Sequence, residues 1–334
     1  MYRGASDVID GNQNLKNVLV TGATGFVGRY VVRELLSRGL TPVCLVRSYD
    51  KLIEQHEGVN PDRIVAVTGS LHDQDALAQA AAISQGAIHL VGIIIERPLR
   101  RRTFDSVHCR GTERVIKAVK SANITRYVHM SALGSRHDAA SAYHRTKWAG
   151  EELVRASGLD WTILRPSLIH GLEGDFMRLM KRLICGLVPP VVPQFGTGEA
   201  KIQPVSVEDV AFCCVEALFR EGAAGGTFDL GGPKVYSWNE LYQTCRRLMP
   251  GALRHKPIVS LPVSLAKWIA TLTGPPTAMV ELLVPSIGMF RFDTGQVLMS
   301  QEDNTCDHTK AESVFDRKMA DFEEGLVRYA GFIV

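Results

Sequence analysis

A tyrosine and a lysine, Tyr143 and Lys147, lie four residues apart in the segment YHRTK. On a helix this spacing places both side chains on the same face. A tyrosine with a pKa of about 10 is a poor acid or base at neutral pH, but a neighbouring ammonium favours the phenolate and lowers that pKa. The pair can then transfer a proton to or from a substrate oxygen. Because the pattern is common by chance, its meaning depends on its surroundings.

A glycine-rich segment, TGATGFVG, lies between a short apolar strand and the start of a helix. Its first glycine permits a tight turn, the second lets the backbone approach a pyrophosphate, and the third allows close packing of helix on strand. Free N–H groups at the positive end of the helix then meet the phosphates. We predict a dinucleotide site; the alternative is a tight turn with no ligand. The predicted contacts are Gly22, Thr24, Gly25, Phe26, Val27, Gly28 and Arg29.

The end of the second predicted strand indicates which dinucleotide is bound. An acidic residue about 20 positions beyond the loop would bind the ribose 2′-hydroxyl of NAD, whereas this chain has Arg47 and Ser48 in LVRSYDK. A guanidinium suits a 2′-phosphate, and a carboxylate would repel it. We therefore predict NADP(H), with Arg29 as a second phosphate ligand. The alternatives are NAD(H) as cofactor and Arg47 as a surface arginine.

The elements that must position these residues alternate between strands rich in Val, Ile and Leu and amphipathic helices. This alternation predicts an α/β fold: a doubly wound parallel Rossmann sheet with helices on both faces and a smaller C-terminal substrate lobe. The predicted strands are 17–21, 42–46, 64–67, 87–91, 126–130 and 161–164, and the predicted helices are 26–38, 73–82, 104–121 and 143–156.

The regular alternation stops after Pro166, and this sets the predicted domain boundaries. Residues 1–16 form a polar tail, 17–170 form the NADP(H)-binding Rossmann domain to which 203–235 return, and 171–202 with 236–334 form the substrate and lid lobe. The apolar stretch from Pro257 to Phe290 is broken by charges, glycine and prolines. It therefore predicts two short helices over a pocket rather than a membrane span. Peripheral membrane contact stays open as an alternative.

Composition and charge exclude several classes of protein. The formal net charge of +3 argues against a nucleic-acid binder. Seven cysteines without metal-ligand spacing predict a reducing, cytoplasmic compartment and no metal site. The basic cluster from Arg97 to Arg102 is interpreted as a solvated loop, with an anion site as the alternative. The sequence makes no prediction of oligomeric state.

Six segments occur in an order that resembles the extended branch of the short-chain dehydrogenase/reductase superfamily: TGATGFVG, VHCRGTERVI, MSALG, YHRTK, LRPS and PVSVEDVA. They cover about residues 17–215. The resemblance implies that Ser131 orients a substrate carbonyl, while Tyr143 transfers the proton and Lys147 also binds the nicotinamide ribose. It further implies cofactor contacts at Ser70, Leu71, Val91, Gly92, Pro166, Ser167 and Ile169.

Two positions depart from that family. Ser70 stands where relatives commonly have an aspartate that contacts adenine, and His108 stands in place of the usual asparagine of a proton relay. A histidine can also relay a proton, or it can be a packed helix residue, and both interpretations stay open. His89, His129 and His170 have no partner at ligand spacing, so we interpret them as satisfied core or pocket histidines.

A narrower resemblance rests on HLVGII, VHCRGT, MSALG, QPVSVEDVA and the later segment TGQVLMSQEDNTCD. Together they resemble the atypical dehydrogenases similar to the NADPH-binding accessory subunit of respiratory complex I and its bacterial stand-alone relatives. That resemblance implies tightly held NADPH, peripheral placement on a membrane complex and no established turnover. Two hypotheses follow. One is hydride transfer to or from a carbonyl or alcohol of a small hydrophobic substrate, which we favour; the other is a non-catalytic NADPH-binding structural or redox-sensing protein.

Overall fold

A computed structural model describes residues 15–97, 102–272 and 294–333. Its strands are β1 (Asn17–Thr21), β2 (Thr41–Val46), β3 (Val65–Thr68), β4 (Gly86–His89), β5 (Arg126–Met130), β6 (Asp160–Pro166), β7 (Ile169–His170), β8 (Val192–Phe195), β9 (Lys201–Ile202), β10 (Val205–Ser206), β11 (Gly226–Leu230), β12 (Tyr236–Ser237) and β13 (Ile258–Leu261).

The α-helices are α1 (Phe26–Ser37), α2 (Tyr49–Glu54), α3 (Gln74–Ala82), α4 (Arg110–Ser121), α5 (Ala142–Arg155), α6 (Asp175–Cys185), α7 (Val207–Glu216), α8 (Trp238–Leu248), α9 (Val263–Leu272), α10 (Thr294–Met299), α11 (Thr309–Phe315) and α12 (Phe322–Tyr329).

The central sheet has seven parallel strands in the order β3–β2–β1–β4–β5–β6–β11. The predicted doubly wound Rossmann sheet is therefore confirmed. Along β1, Val18 and Val20 pack in the core that includes α1 and α7, whereas Leu19 packs in the core of α3, α4 and α5. Successive strand side chains point to opposite faces, so an unbroken apolar strand is what a sheet covered on both sides requires.

Two strand ends differ from the prediction because of their neighbours. β4 ends at His89, since β1 stops at Thr21 and the Leu90 N–H donates to Thr21 O at 3.1 Å just before the chain leaves the sheet. β6 continues to Pro166 because Leu230 of β11 pairs with it. The sequence predicts that this region of the chain returns to the sheet but does not predict β11 as a strand.

The helix predicted over 104–121 is interrupted. Asp105–Cys109 forms a π-helical turn, and α4 begins only at Arg110. Such turns insert an extra residue into a helix and are frequent at functional sites. This one carries His108, whose side chain is buried against the strand ends.

The smaller lobe has its own apolar core, which includes Met177, Tyr236, Leu241 and Phe322. Outside the central sheet, β7 pairs with β10, β9 with β12 and β8 with β13. The helical prediction for 257–290 is wrong at Ile258–Leu261, which is a strand because it pairs with β8. Helix α9 follows it. The rest of that stretch and the predicted tail up to residue 14 lie outside the described residues, which include no helix long and apolar enough to cross a bilayer.

Candidate functional site

The glycine loop forms a closed turn at the start of α1. The Gly25 N–H donates to Gly22 O at 2.9 Å, and Gly22 has a φ of +83°. A Cβ on Gly28 would lie 2.0 Å from Gly22 O and 2.8 Å from Ala23 Cα. The helix has no side-chain cap and no acidic residue in its first turn, so its free amides and positive end can meet a phosphate. These residues fit a dinucleotide pyrophosphate.

Arg47 and Ser48 follow β2, as predicted for contacts to the adenosine ribose. Arg47 is exposed and makes no hydrogen bond or ion pair within the described chain. Ser48 is the N-cap of α2, and its Oγ accepts the Lys51 N–H at 3.2 Å. The serine is therefore engaged locally, whereas the Arg47 guanidinium can bind a 2′-phosphate.

Arg29 forms an ion pair with the smaller lobe. Its Nη1 lies 3.3 Å from Glu173 Oε1, in the loop that leads into α6. Gly174 of the same loop packs on Phe26, since a Cβ there would lie 2.9 Å from Phe26 Cζ. Arg29 Nε is buried with no hydrogen-bond partner among the described residues, so its contact with a phosphate stays a prediction.

The remaining predicted cofactor contacts lie at or just beyond strand ends, where ligands bind in open parallel sheets. Ser70 Oγ accepts the His72 N–H at 3.2 Å, and Ser167 Oγ donates to Asn304 Oδ1 at 2.5 Å. Both hydroxyls therefore have intramolecular partners. The structure places Leu71 after β3, Val91 and Gly92 after β4, Pro166 at the end of β6 and Ile169 in β7.

Helix α5 carries Tyr143 and Lys147, and Ser141 caps it by accepting the His144 N–H at 3.2 Å. Lys147 Nζ donates to Met130 O at 3.0 Å. Burial lowers the pKa of Lys147 to about 8 and raises the pKa of Tyr143 to about 12. The predicted lowering of the tyrosine pKa is therefore wrong, because burial desolvates the phenolate. At neutral pH Tyr143 is an uncharged phenol.

Ser131 bonds to a buried carboxylate. Its Oγ donates to Glu151 Oε1 at 2.5 Å. Glu151 is fully buried and also accepts from Arg165 Nε at 2.8 Å and from Arg155 Nη2 at 2.7 Å. A serine hydroxyl has one proton, and here that proton is donated to Glu151. The role of Ser131 in orienting a substrate carbonyl stays a prediction. To donate to that carbonyl, its hydroxyl would have to give up the bond to Glu151.

His108 is bonded on both ring nitrogens. Its Nε2 accepts the Ile93 N–H at 3.1 Å, and its Nδ1 lies 2.9 Å from Thr146 Oγ1. Burial, followed by the charge on Lys147, lowers the pKa of His108 to about 2. Because Nε2 is an acceptor, Nδ1 carries the proton. The ring has no free nitrogen for a relay, so its geometry favours the packed-residue interpretation.

The other three histidines differ from one another. His89 Nδ1 lies 2.6 Å from Thr21 Oγ1, and His170 Nδ1 lies 3.0 Å from the Tyr329 hydroxyl. Among the described residues, His129 is buried with no partner on either ring nitrogen, and His170 Nε2 also has none. The prediction of a satisfied histidine is therefore wrong for His129 and incomplete for His170.

The match to known families covers the glycine loop and the Tyr143–Lys147 pair together. A family model described as NAD(P)H-binding matches residues 22–221, which is more than half of the chain. The chain belongs to this NAD(P)H-binding family. The family predicted from the sequence motifs is thus confirmed.

Curated relatives of this chain include two subunits of NADH oxidoreductases and a ceramide reductase. It is 30% identical to the mitochondrial NADH-ubiquinone oxidoreductase 40 kDa subunit of Neurospora crassa, over 75% of this chain but only 64% of that protein. It is 30% identical to subunit 9 of the NADH dehydrogenase 1 alpha subcomplex of Arabidopsis thaliana, over 85% and 70% of the two chains. It is also 30% identical to the ceramide reductase of Caulobacter vibrioides, over 70% of each.

Solved structures share the fold of this family member. A UDP-glucose 4-epimerase from Thermotoga maritima superposes with a TM-score of 0.70 at 18% identity, over 94% of this chain and 97% of that one. A short-chain dehydrogenase/reductase superfamily protein from Agrobacterium tumefaciens with bound NAD gives 0.66 at 20% identity, over 94% and 95%. At these identities the likeness shows the fold alone.

Glu151 is the main site residue that the sequence reasoning misses. It lies four residues after Lys147, so the two share a face of α5 with Tyr143. A carboxylate on the face that meets the sheet needs a buried partner. Arg165, at the end of the next strand, is the signal that could have identified the pair.

We expect Ser131→Ala to lower the free energy of unfolding by about 1.5–3 kcal/mol, because the buried Glu151 loses a charge-assisted hydrogen bond. Urea unfolding measures the loss, and the dissociation constant for NADPH should not change. Ser135→Ala is the control, since its Oγ lies 3.3 Å from Ser131 Oγ and bonds to no charged group. An unaltered unfolding midpoint for Ser131→Ala would show that the bond to Glu151 does not persist in solution.

Proposed function

We propose that this protein is an NADPH-dependent reductase that converts a carbonyl group of a hydrophobic small molecule into an alcohol. The observation that carries the proposal is the placement of Tyr143 and Lys147 on one face of α5, with Lys147 at the strand ends beside the dinucleotide cradle. This combination provides a proton donor where a nicotinamide would lie.

Two close approaches connect the cradle to the lysine. A Cβ on Gly22 would lie 3.3 Å from Val91 Cγ2, and a Cβ on Gly92 would lie 3.0 Å from Lys147 Nζ. A dinucleotide that starts at the glycine loop and passes Val91 would therefore bring its nicotinamide end to Lys147. This supports Lys147 as the ligand of the nicotinamide ribose.

Tyr143 can act as the proton donor of a carbonyl reduction. Burial raises its pKa to about 12, so the side chain is a phenol at neutral pH. A phenol can donate to the oxygen of a carbonyl as it becomes an alkoxide. Bound NADPH would supply the hydride to the carbonyl carbon. With the Tyr143 proton restored from solvent, a carbonyl, NADPH and one proton give an alcohol and NADP⁺.

An apolar wall beside Tyr143 supports a hydrophobic substrate. Ile93, Phe104 and Val107 form a buried cluster against which Val91 and Tyr143 pack. An apolar surface next to the proton donor favours substrates with aliphatic groups near the carbonyl. The relative named ceramide reductase supports the same class of reaction on a lipid.

We expect Arg47→Ala to weaken NADPH binding by about 10- to 100-fold while NADH binding changes by less than about threefold, because only NADPH has the 2′-phosphate. Titration of the purified protein with each dinucleotide measures this. Arg328→Ala is the matched control, since that arginine is exposed on α12. Equal weakening of NADPH and NADH would contradict an NADP(H) preference read by Arg47.

The proposed reaction is tested by mass spectrometry for retained NADP(H), followed by NADPH oxidation in the presence of decanal. We expect consumption of NADPH to match decanol formation. A protein that binds NADPH tightly but oxidises it with no aldehyde or ketone would contradict the reductase proposal.

That outcome would favour a second candidate, a structural or redox-sensing NADPH-binding protein. The observation in its favour is that Ser131 and His108 both have their hydrogen-bonding groups engaged inside the protein. The relatives named as subunits of NADH oxidoreductases support a protein in peripheral contact with a membrane complex. Co-purification with a membrane fraction that survives Tyr143→Phe would support this function.

A further inference from the structure

Two segments of the smaller lobe are held side by side. One is the 186–191 loop, which connects α6 to β8, and the other connects α8 to β13. The Leu253 N–H donates to Ile184 O at 3.1 Å, and the Val192 N–H donates to Pro257 O at 2.8 Å. Beyond these bonds the two segments continue as the paired strands β8 and β13. The loop is therefore fixed on both sides by backbone hydrogen bonds.

The 186–191 loop presents large apolar side chains to solvent. Leu187 is 80% exposed and Val188 is 71% exposed, and two prolines follow them in the chain. Leu187 and Pro190 line one open depression together with Leu253 of the neighbouring segment. A single exposed leucine is ordinary, but a run of consecutive exposed apolar residues marks a surface that binds something.

The chain around this loop carries positive charge only. Residues 176–198 and 241–272 contain eight Lys and Arg and no Asp or Glu. Two of these cations, Arg178 and Arg247, pair with carboxylates from outside the two ranges. Because the whole chain has a formal net charge of +3, the rest of the chain is net negative. The positive charge is thus concentrated at this part of the smaller lobe.

Several of the cations beside the loop have no carboxylate to neutralise them. Arg182, in the last turn of α6, and Arg254, which lines the depression, are both exposed, and neither side chain has an ion pair or hydrogen bond among the described residues. Arg246 Nη2 donates to Lys256 O at 2.6 Å, and Lys256 Nζ donates to Gly186 O at 2.7 Å. Backbone carbonyls position these two groups and leave their charges uncompensated.

An anionic bilayer matches both halves of this face. Its head groups are negative across the whole plane, which suits cations with no carboxylate among them. Its hydrocarbon accommodates aliphatic side chains such as Leu187 and Val188 without a shaped pocket. Nucleic acid would meet the cations but leave these side chains in water, because its outer surface is phosphate. The combination therefore favours a lipid partner.

We propose that a docking face, formed by residues 186–191 and 252–256, binds bilayers that contain anionic phospholipids. Leu187 and Val188 enter the boundary between head groups and acyl chains, while the unpaired arginines contact lipid phosphates. Two aliphatic side chains bind weakly alone, and salt screens exposed cations, so the attachment needs both and is reversible. This inference is independent of the reductase function.

Binding is tested with the full-length protein and protein-free vesicles of phosphatidylcholine, with or without phosphatidylglycerol, separated by sedimentation. We expect binding to be at least about tenfold stronger when phosphatidylglycerol is present, and this difference should shrink as salt is added. Equal binding to both kinds of vesicle, or binding to neither, would overturn the proposal. A chain that binds native membranes but no protein-free vesicle docks on a protein, and this outcome also counts against a lipid partner.

Variants separate the apolar and charged halves of the docking face. Leu187→Ser combined with Val188→Ser should weaken binding to phosphatidylglycerol vesicles by at least about tenfold, and Arg254→Ala by about fivefold. The matched controls are Val327→Ser, at a valine of α12 that is 62% exposed, and Arg328→Ala beside it. We expect all of these variants to keep the wild-type urea midpoint. Controls that weaken binding as much as the loop variants would refute this location of the face.

Hydrogen exchange locates the contact directly. The backbone amides of Leu187 and Val188 donate no hydrogen bond among the described residues, so they exchange rapidly in the free protein. On phosphatidylglycerol vesicles their exchange should slow by at least about fivefold, whereas α12 should not change. Slowing at α12 without slowing in the loop would contradict the proposal. None of these measurements involves turnover, so they judge the docking face whether or not the protein reduces a carbonyl.

Discussion

Replacing Gly28 by alanine is expected to weaken NADPH binding at least about 100-fold, the largest effect that we predict on cofactor affinity. The added Cβ would lie 2.0 Å from Gly22 O and 2.8 Å from both Cα and O of Ala23. All three are backbone atoms of the phosphate-binding turn, so no side-chain rotation can relieve the contact. Relief requires α1 to move away from β1, and that movement opens the cradle that presents the amides.

The measurement is a titration of the purified protein with NADPH, accompanied by urea unfolding. Gly222→Ala is the matched control, because a Cβ at that position meets nothing within 4 Å. Gly25→Ala is a milder test, since its Cβ would lie 3.1 Å from Gly22 O. We expect it to weaken NADPH binding by about tenfold with little change in the free energy of unfolding. Normal NADPH affinity in both loop variants would show that the dinucleotide does not bind in this turn.

Local patterns predict the central sheet well because each pattern reports on a single element. The apolar run of β1 and the three glycines after it identify a buried parallel strand and its turn without reference to the rest of the chain. β11 is different. Gly226–Leu230 becomes a strand because Leu230 pairs with Pro166 at the free edge of β6, and that edge exists only once the sheet has formed.

The site residues divide in the same way. The spacing of Tyr143 and Lys147 correctly predicts a shared helix face, but the sign of the tyrosine pKa shift depends on burial, which the spacing does not contain. Glu151 is unpredicted because its partners come from the segment after β5, from β6 and from α5 itself. Arg29 is predicted as a phosphate ligand, yet Glu173 reaches it from the loop before α6.

The Glu151 cluster explains how the reacting pair is positioned. Its carboxylate bonds to Ser131 after β5 and to Arg165 in β6, so it fixes α5 against two strands one turn beyond Lys147. Lys147 Nζ is in turn bonded to Met130 O, at the end of β5. A buried ion pair of this kind adds little net stability, but it does constrain geometry. Ser131 therefore acts here as a positioning residue for the helix that carries Tyr143.

Replacing Tyr143 by phenylalanine is expected to lower kcat for carbonyl reduction by about 10³-fold, within the range that a positioned general acid contributes. The substitution removes only the hydroxyl. The ring contacts to Phe104 and His108, with centroids 6.0 Å and 5.5 Å away, can persist. The dissociation constant for NADPH should stay within about threefold, because no charge at the ribose or phosphates is lost.

The measurement is NADPH oxidation with decanal, run beside Tyr49→Phe, which removes the hydroxyl of a tyrosine that is 48% exposed. A phenol that is uncharged at neutral pH acts as a proton donor. The loss of activity in Tyr143→Phe should therefore appear in kcat and remain at every pH where the wild-type protein is active. Turnover that survives Tyr143→Phe would assign the proton to another group, and burial of Lys147 with a pKa of about 8 makes its ammonium the next candidate. In that case Lys147→Met should abolish turnover while Tyr143→Phe does not. The Tyr143 assignment predicts instead that either substitution alone abolishes turnover.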